Sequence, residues 1–85
     1  MGPALSELKL RREQVKSSVI ESIGYDAGTR VLEVEFRTGR IYQYFAVPPA
    51  LHRDLLKAAS IGEFFNRNIR SDHRCDEVTK EGTEA

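Results

Sequence analysis

The sequence predicts an α+β domain: a three-stranded antiparallel β-meander followed by two short helices packed on one face. Three observations carry that expectation. Residues 30–37, RVLEVEFR, alternate almost strictly, with Leu32, Val34 and Phe36 on one side and Glu33, Glu35 and Arg37 on the other, the period of a half-buried strand. Turn formers bracket this run, YDAGTR before it and Thr38-Gly39 after it, so its neighbours join it through hairpins. Finally, Pro48 and Pro49 separate a β-rich half from a half whose apolar residues recur at helical spacing.

The first sixteen residues place Leu5, Leu8 and Val15 among Lys9, Arg11, Arg12, Glu13 and Lys16. They read as a short amphipathic helix or a frayed leader, since so short a helix needs a surface to pack on. SSVIESIGYD, residues 17–26, is rich in β-branched residues and forms the first strand of the meander. RVLEVEFR is the second and RIYQYFAV, residues 40–47, the third. Proline cannot donate to a ladder, so Pro48 and Pro49 end the sheet. Proline is tolerated in a first helical turn, which starts a helix at PPALHRDLLKAA, with a stripe of Leu51, Leu55 and Ala58 and with Leu56 and Ala59 beside it. Ser60 is a good N-cap for a second helix, with Glu63 three residues on as its capping-box partner and Phe64, Phe65 and Ile69 on its buried side. The chain then turns polar. The expected organisation is an N-terminal segment, 1–16, a folded domain, 17–74, and a polar tail, 75–85, without order, as expected for a polar terminus that has little to bury.

A two-residue loop at Thr38-Gly39 would pair Phe36 with Ile41, Glu35 with Tyr42, Val34 with Gln43, Glu33 with Tyr44 and Leu32 with Phe45. Facing residues share a side of the sheet. That register sets Tyr42 and Tyr44 beside Glu33 and Glu35, opposite the core, and turns Gln43 inward. A bulge at Gly39 would slip the register and reverse the side of the tyrosines.

With 85 residues the chain builds one small core. Thirteen basic and 13 acidic side chains cancel, so no global field draws it to nucleic acid or membrane. The distribution is uneven, however. Residues 37–70 set Arg37, Arg40, Arg53, Lys57, Arg67 and Arg70 against Asp54 and Glu63, a net +4, whereas residues 71–85 carry −3. The single cysteine, Cys75, excludes an internal disulfide and a cysteine-rich metal site. No apolar run reaches the roughly 18 residues of a spanning helix, and charges interleave the N-terminal leucines too closely for a signal peptide. A soluble, cytoplasmic protein is expected.

Two stretches carry binding chemistry. In GRIYQYF, residues 39–45, Tyr42 and Tyr44 with Arg37 and Arg40 have the composition of an aromatic platform, on which unpaired bases stack while guanidiniums neutralise phosphate. The structural alternative is a cross-strand aromatic pair. In FNRNIR, residues 65–70, the side chains of Asn66, Arg67, Asn68 and Arg70 suit phosphate or base-edge hydrogen bonds, or, alternatively, a helix C-terminus. His73 and Cys75 are too few for a zinc site. His52 lies on the first helix without a catalytic partner in sequence. No glycine-rich phosphate loop is present, and neither an enzyme nor a cofactor is expected.

Taken together, SSVIESIGYD, LEVEFRTGRIYQYFAVPP and SIGEFFNRNIR resemble the KTSC domain, a family named after the C-terminal extension of some lysyl-tRNA synthetases and found also as stand-alone bacterial or phage proteins. The resembling positions are Ser17 and Ser18, Ile23, Gly24, Tyr25 and Asp26, then Gly39, Tyr42, Tyr44, Val47 and Pro48, and lastly Phe65, Asn66 and Ile69. The family tends to place an aromatic soon after that isoleucine; here the chain runs SDHRCDEV, with His73 nearby. The resemblance implies a small non-catalytic binding module, with RNA or tRNA as the ligand suggested by attachment to synthetases. Tyr42, Tyr44, Arg37, Arg40, Asn66, Arg67 and Arg70 are the expected contacts. A protein-interaction module using the same face or a free sheet edge is the alternative, and the oligomeric state is left open.

Overall fold

The computed structural model describes residues 12–78. A single antiparallel sheet of five strands runs in chain order, β1 (Arg12–Gln14), β2 (Ile20–Asp26), β3 (Val31–Phe36), β4 (Ile41–Tyr44) and β5 (Cys75–Val78). Between β4 and β5 lie the two helices, α1 (Pro49–Lys57) and α2 (Ile61–Asn68). The α+β class, the central meander and the two helices are as expected. The sheet also gains a strand at each end. Arg12–Gln14 is a strand rather than part of a helix, pairing with β2 from Arg12↔Gly24 to Gln14↔Ser22. Cys75–Val78 is a strand rather than the start of a disordered tail, pairing with β4 from Ile41↔Val78 to Tyr44↔Cys75. Neither segment alternates, because an edge strand is held by backbone hydrogen bonds to its neighbour and needs no apolar face of its own. The remainder of both expectations, over residues 1–11 and 79–85, lies outside the described residues.

The β3–β4 connection departs from the two-residue loop. Phe36 donates its N–H to the Arg40 carbonyl at 2.9 Å, and Gly39 donates to the Phe36 carbonyl at 2.8 Å. The loop is therefore three residues, Arg37 to Gly39, with Gly39 at φ 99°, the hairpin in which a turn is followed by a glycine bulge. The extra residue slips the pairing by one: Leu32↔Tyr44, Glu33↔Gln43, Val34↔Tyr42 and Glu35↔Ile41. The two-residue register is thus corrected. Both tyrosines share the side of Leu32 and Val34, and Gln43 joins Glu33 on the opposite side.

A second irregularity acts on β2. The register shifts between Ile20 and Ser22, so Glu21 is an extra residue, and Ile20 and Ile23 both reach the core side although an unbroken strand would split them. That side packs on the helices. Ile20, Ile23, Leu32, Val34 and Tyr44 form one buried cluster with Val47, Leu55, Ile61, Phe65 and Ile69. Phe65 anchors the contact, its ring edge-on to Tyr44 at 5.1 Å and to Phe36 at 5.6 Å. In α1, Leu55 is buried as expected and Leu56 stays exposed. In α2, Ser60 Oγ accepts the Glu63 N–H at 3.3 Å as the expected N-cap, while Phe64 is only half-buried. Among the described residues no helix is long and apolar enough to cross a membrane.

The other side of the sheet is polar, yet two of its polar side chains are buried. Glu33 is 2% exposed and Ser22 5%. Arg12 on β1 reaches across β2 to pair with Glu33, and Gln43 donates to the same carboxylate at 2.8 Å. The Ser22 hydroxyl accepts from Arg12 Nε at 3.0 Å and donates to Glu35 at 2.8 Å. A buried carboxylate survives only when paired and hydrogen-bonded, and this network supplies both conditions.

The segment leading into α1 is pinned twice: Tyr25 donates its hydroxyl to the Val47 carbonyl at 2.5 Å, and Val47 donates its N–H to Arg30 at 2.9 Å. Tyr25 also stacks on His52 of α1, centroids 4.4 Å apart and planes at 15°. Burial lowers the His52 pKa, against the opposing pull of Glu13.

Two outcomes are expected. Nothing lies within 4 Å of a Cβ built at Gly39, so Gly39→Ala adds backbone strain without a clash. It should cost about 1–2 kcal/mol in urea unfolding; an unchanged midpoint would contradict the bulge. For His52, protonation favours the unfolded chain. The stability it lends is complete above the ordinary value of 6.5 and is lost as pH falls from there toward the lowered folded value. His52→Phe keeps the ring stack and should flatten the acid-side decline in unfolding free energy relative to the wild type.

Candidate functional site

A groove of about 580 Å³ opens on the helix side of the sheet. Its floor is aromatic, from Phe36 on β3 and Tyr42 and Tyr44 on β4, and its far wall comes from Asn66 of α2 and from Arg70, two residues past the end of that helix. The segment Ser18-Val19 and the hairpin residues Arg37 and Thr38 close one end, and Cys75 of β5 lies on the rim. No lining residue is acidic. The slipped register causes this, because it sends Glu33 and Glu35 to the opposite side of the sheet from the tyrosines.

Local structure holds the walls. Ser17 Oγ accepts the N–H groups of Val19 and Ile20, each at 3.1 Å, which turns the chain into β2. A Cβ on Gly62 would sit 3.5 Å from both Ser17 Oγ and Val19 Cγ2, so that turn rests directly on α2. Arg37 is tied down, its Nε donating to the Ser17 carbonyl at 2.8 Å and its NH1 to Glu21 at 2.7 Å. Arg70, two residues past α2, donates NH1 to Asn66 Oδ1 at 3.2 Å, and both side chains line the groove.

The two tyrosines differ in kind. Tyr44 is 4% exposed and belongs to the core. Burial, reinforced by the neighbouring Cys75 thiol with which it shares a hydrogen bond, pushes its phenol up to about 12. Tyr42 is half-buried and keeps ring surface toward the groove.

Five of the seven expected contacts, Arg37, Tyr42, Tyr44, Asn66 and Arg70, meet at this groove. The other two lie off it. Arg40 faces Glu77, 3.9 Å away; hydrogen bonding toward Tyr42 first, then the carboxylate, raises its pKa. Arg67 points from the exposed side of α2, where it pairs with Glu63 at 3.1 Å. Sequence reasoning placed Phe36 in the core without its part in the groove floor, and no periodic signal marked Cys75, which reaches the rim through β5. His73 is occupied structurally, its Nδ1 3.0 Å from the Phe45 carbonyl oxygen. Among the described residues no group of three or more His, Cys, Asp or Glu is placed to hold a metal ion. What the groove can do chemically is hold a flat ring against Tyr42 and an anion beside arginine.

This division of roles is testable by stability. Tyr44→Ala should cost about 3–5 kcal/mol, the loss for a buried aromatic. Arg70→Gln should stay within about 0.5 kcal/mol, as for a surface residue. Equal costs in chemical denaturation would contradict the assignment of Tyr44 to the core and Arg70 to the rim.

The KTSC domain pattern matches residues 16–73. An uncharacterized protein of Stutzerimonas stutzeri is 42% identical over 64 residues, which cover 75% of this chain and 90% of that protein. A lysine–tRNA ligase of Nostoc punctiforme is 36% identical over 64 residues, and the match spans only 11% of the ligase. Among solved structures, a KTSC domain protein from Yersinia pestis superposes with a TM-score of 0.81 at 39% identity, covering 84% of this chain and all of that one.

Proposed function

The chain belongs to the KTSC domain family, and on that premise we propose that it is a non-catalytic recognition module whose groove binds unpaired RNA. One observation carries the reading: Tyr42 shares the groove lining with Arg37, Asn66 and Arg70, and no lining residue is acidic, although Glu21 pairs with Arg37 and Glu77 faces Tyr42 across the sheet. An aromatic face with guanidiniums beside it is the chemistry of single-strand recognition. The occurrence of the same domain within a lysine–tRNA ligase supports an RNA ligand, tRNA included.

The contact set is smaller than the sequence suggested. With Arg40 facing Glu77, Arg67 paired to Glu63 and Arg37 paired to Glu21, Arg70 remains for phosphate. At about 0.7 per contact on single strands, the affinity for single-stranded RNA should fall with a log–log salt slope near −0.7. Titration with single-stranded and tRNA-like RNAs at low salt checks this, and absence of saturable binding to any of them would sink the proposal.

A protein partner is the second reading. It is supported by β5, which is the outermost strand among the described residues and is exposed at Cys75, Asp76 and Glu77, as a strand open to pairing would be. In that case a native-lysate pull-down recovers one stoichiometric protein.

A further inference from the structure

Phe36, Tyr42 and Tyr44 are not arranged as a stacking ladder. Phe36 and Tyr42 meet edge to face, centroids 5.9 Å apart and planes at 74°. Tyr44 is tilted 39° to Tyr42 and almost wholly buried. Neighbouring stacked bases lie parallel, so rings that serve two of them must present parallel faces. Rings set nearly at right angles serve one base, and the buried ring serves none. The groove volume of about 580 Å³ is likewise that of a site for one small molecule, roughly 300–1,000 Å³, rather than of a channel along a strand.

We infer that the groove holds one unstacked nucleotide, with its base on the Tyr42 ring and its phosphate on Arg70. The inference rests on the nucleic-acid reading above and narrows it from a strand to a single residue of the strand. Arg70 is the phosphate contact because its partner in the groove is neutral. Asn66 Oδ1 accepts one of its N–H groups at 3.2 Å, which orients the guanidinium without neutralising it, and among the described residues Arg70 makes no ion pair. Arg37 spends Nε and NH1 on Ser17 and Glu21, so it shapes the end of the groove and adds only field. Both ends of the ligand are needed: the ring contact selects a base, and the guanidinium selects its phosphate.

The test uses the full chain and four probes: adenosine 5′-monophosphate, adenosine, inorganic phosphate, and oligoadenylates of increasing length. Binding is followed by NMR titration and by the rate at which iodoacetamide alkylates Cys75, the one cysteine of the chain, on the groove rim. Adenosine monophosphate should bind one per chain and slow the alkylation. Adenosine and phosphate should each bind at least about tenfold more weakly. Lengthening the oligoadenylate should raise affinity by no more than the number of equivalent positions. Arg70→Gln and Tyr42→Leu should each weaken monophosphate binding by about tenfold, while Arg67→Gln, outside the groove, should leave it unchanged. Affinity that climbs steeply with each added nucleotide would overturn the single-nucleotide site and leave RNA binding standing. Failure of every nucleotide and oligonucleotide, with saturable binding of an acidic peptide, would overturn both. Monophosphate binding indifferent to Arg70→Gln would also overturn the assignment, since that variant keeps the exposed position and removes only the charge.

Discussion

The three-residue loop at Gly39 decides what each side of the sheet is made of. Side chains on a strand alternate with period two, so one inserted residue exchanges the two faces of everything beyond it relative to its partner. With Gly39 at φ 99°, Tyr42 and Tyr44 come to the side of Val34 and Leu32, and Gln43 comes to the side of Glu33. Only a residue without a Cβ takes that backbone angle cheaply. The bulge at Glu21 performs the matching adjustment on β2, bringing Ile20 into the core beside Ile23. Two local irregularities thus reconcile a sequence that an unbroken alternation would misassign.

Once the faces are assigned, each is completed differently. The helix side is filled by apolar contact, with Phe65 between Phe36 and Tyr44 and Leu55, Ile61 and Ile69 around it. The opposite side has no helix among the described residues, and there a hydrogen-bonded chain from Arg12 through Glu33 to Gln43, and through Ser22 to Glu35, takes the place of apolar packing. Such a network adds less than a hydrophobic layer would, because desolvation offsets much of its attraction. It does specify geometry: β1 holds its register with a guanidinium received by two carboxylates of β3, Glu33 and Glu35.

The same separation of faces shapes the groove. In the simple two-residue register, the carboxylates of Glu33 and Glu35 would lie beside both tyrosine rings and repel a phosphate. In the observed register they are on the far side of the sheet, and the groove between β4 and α2 is lined by Arg37, Arg70 and Asn66 instead. This gain has a cost in surface: Tyr44 passes into the core, so the flat two-ring platform becomes a slot with one available ring. The chemistry suggested by GRIYQYF is retained in kind and reduced in extent.

By itself the sequence determined the α+β class, the strand at 31–36, the turn at Thr38-Gly39, the proline boundary, the Ser60 cap and the buried residues Leu55, Phe65 and Ile69, because each follows from local periodicity or backbone chemistry. The residues of the groove were also legible as types, since tyrosine, arginine and asparagine were singled out by composition. Their grouping was not. Whether a turn has two residues or three is a difference of one peptide unit, settled by how well the resulting faces pack, and no local propensity reports that. The edge strands were equally hidden: Arg12–Gln14 and Cys75–Val78 are polar, and they are strands because β2 and β4 offer unpaired backbone groups that must be satisfied. Tertiary structure alone sent Arg40 and Arg67 to Glu77 and Glu63, away from the groove lining, and left Arg70 facing a neutral partner, because charge pairing depends on which side chains the folded backbone brings within reach.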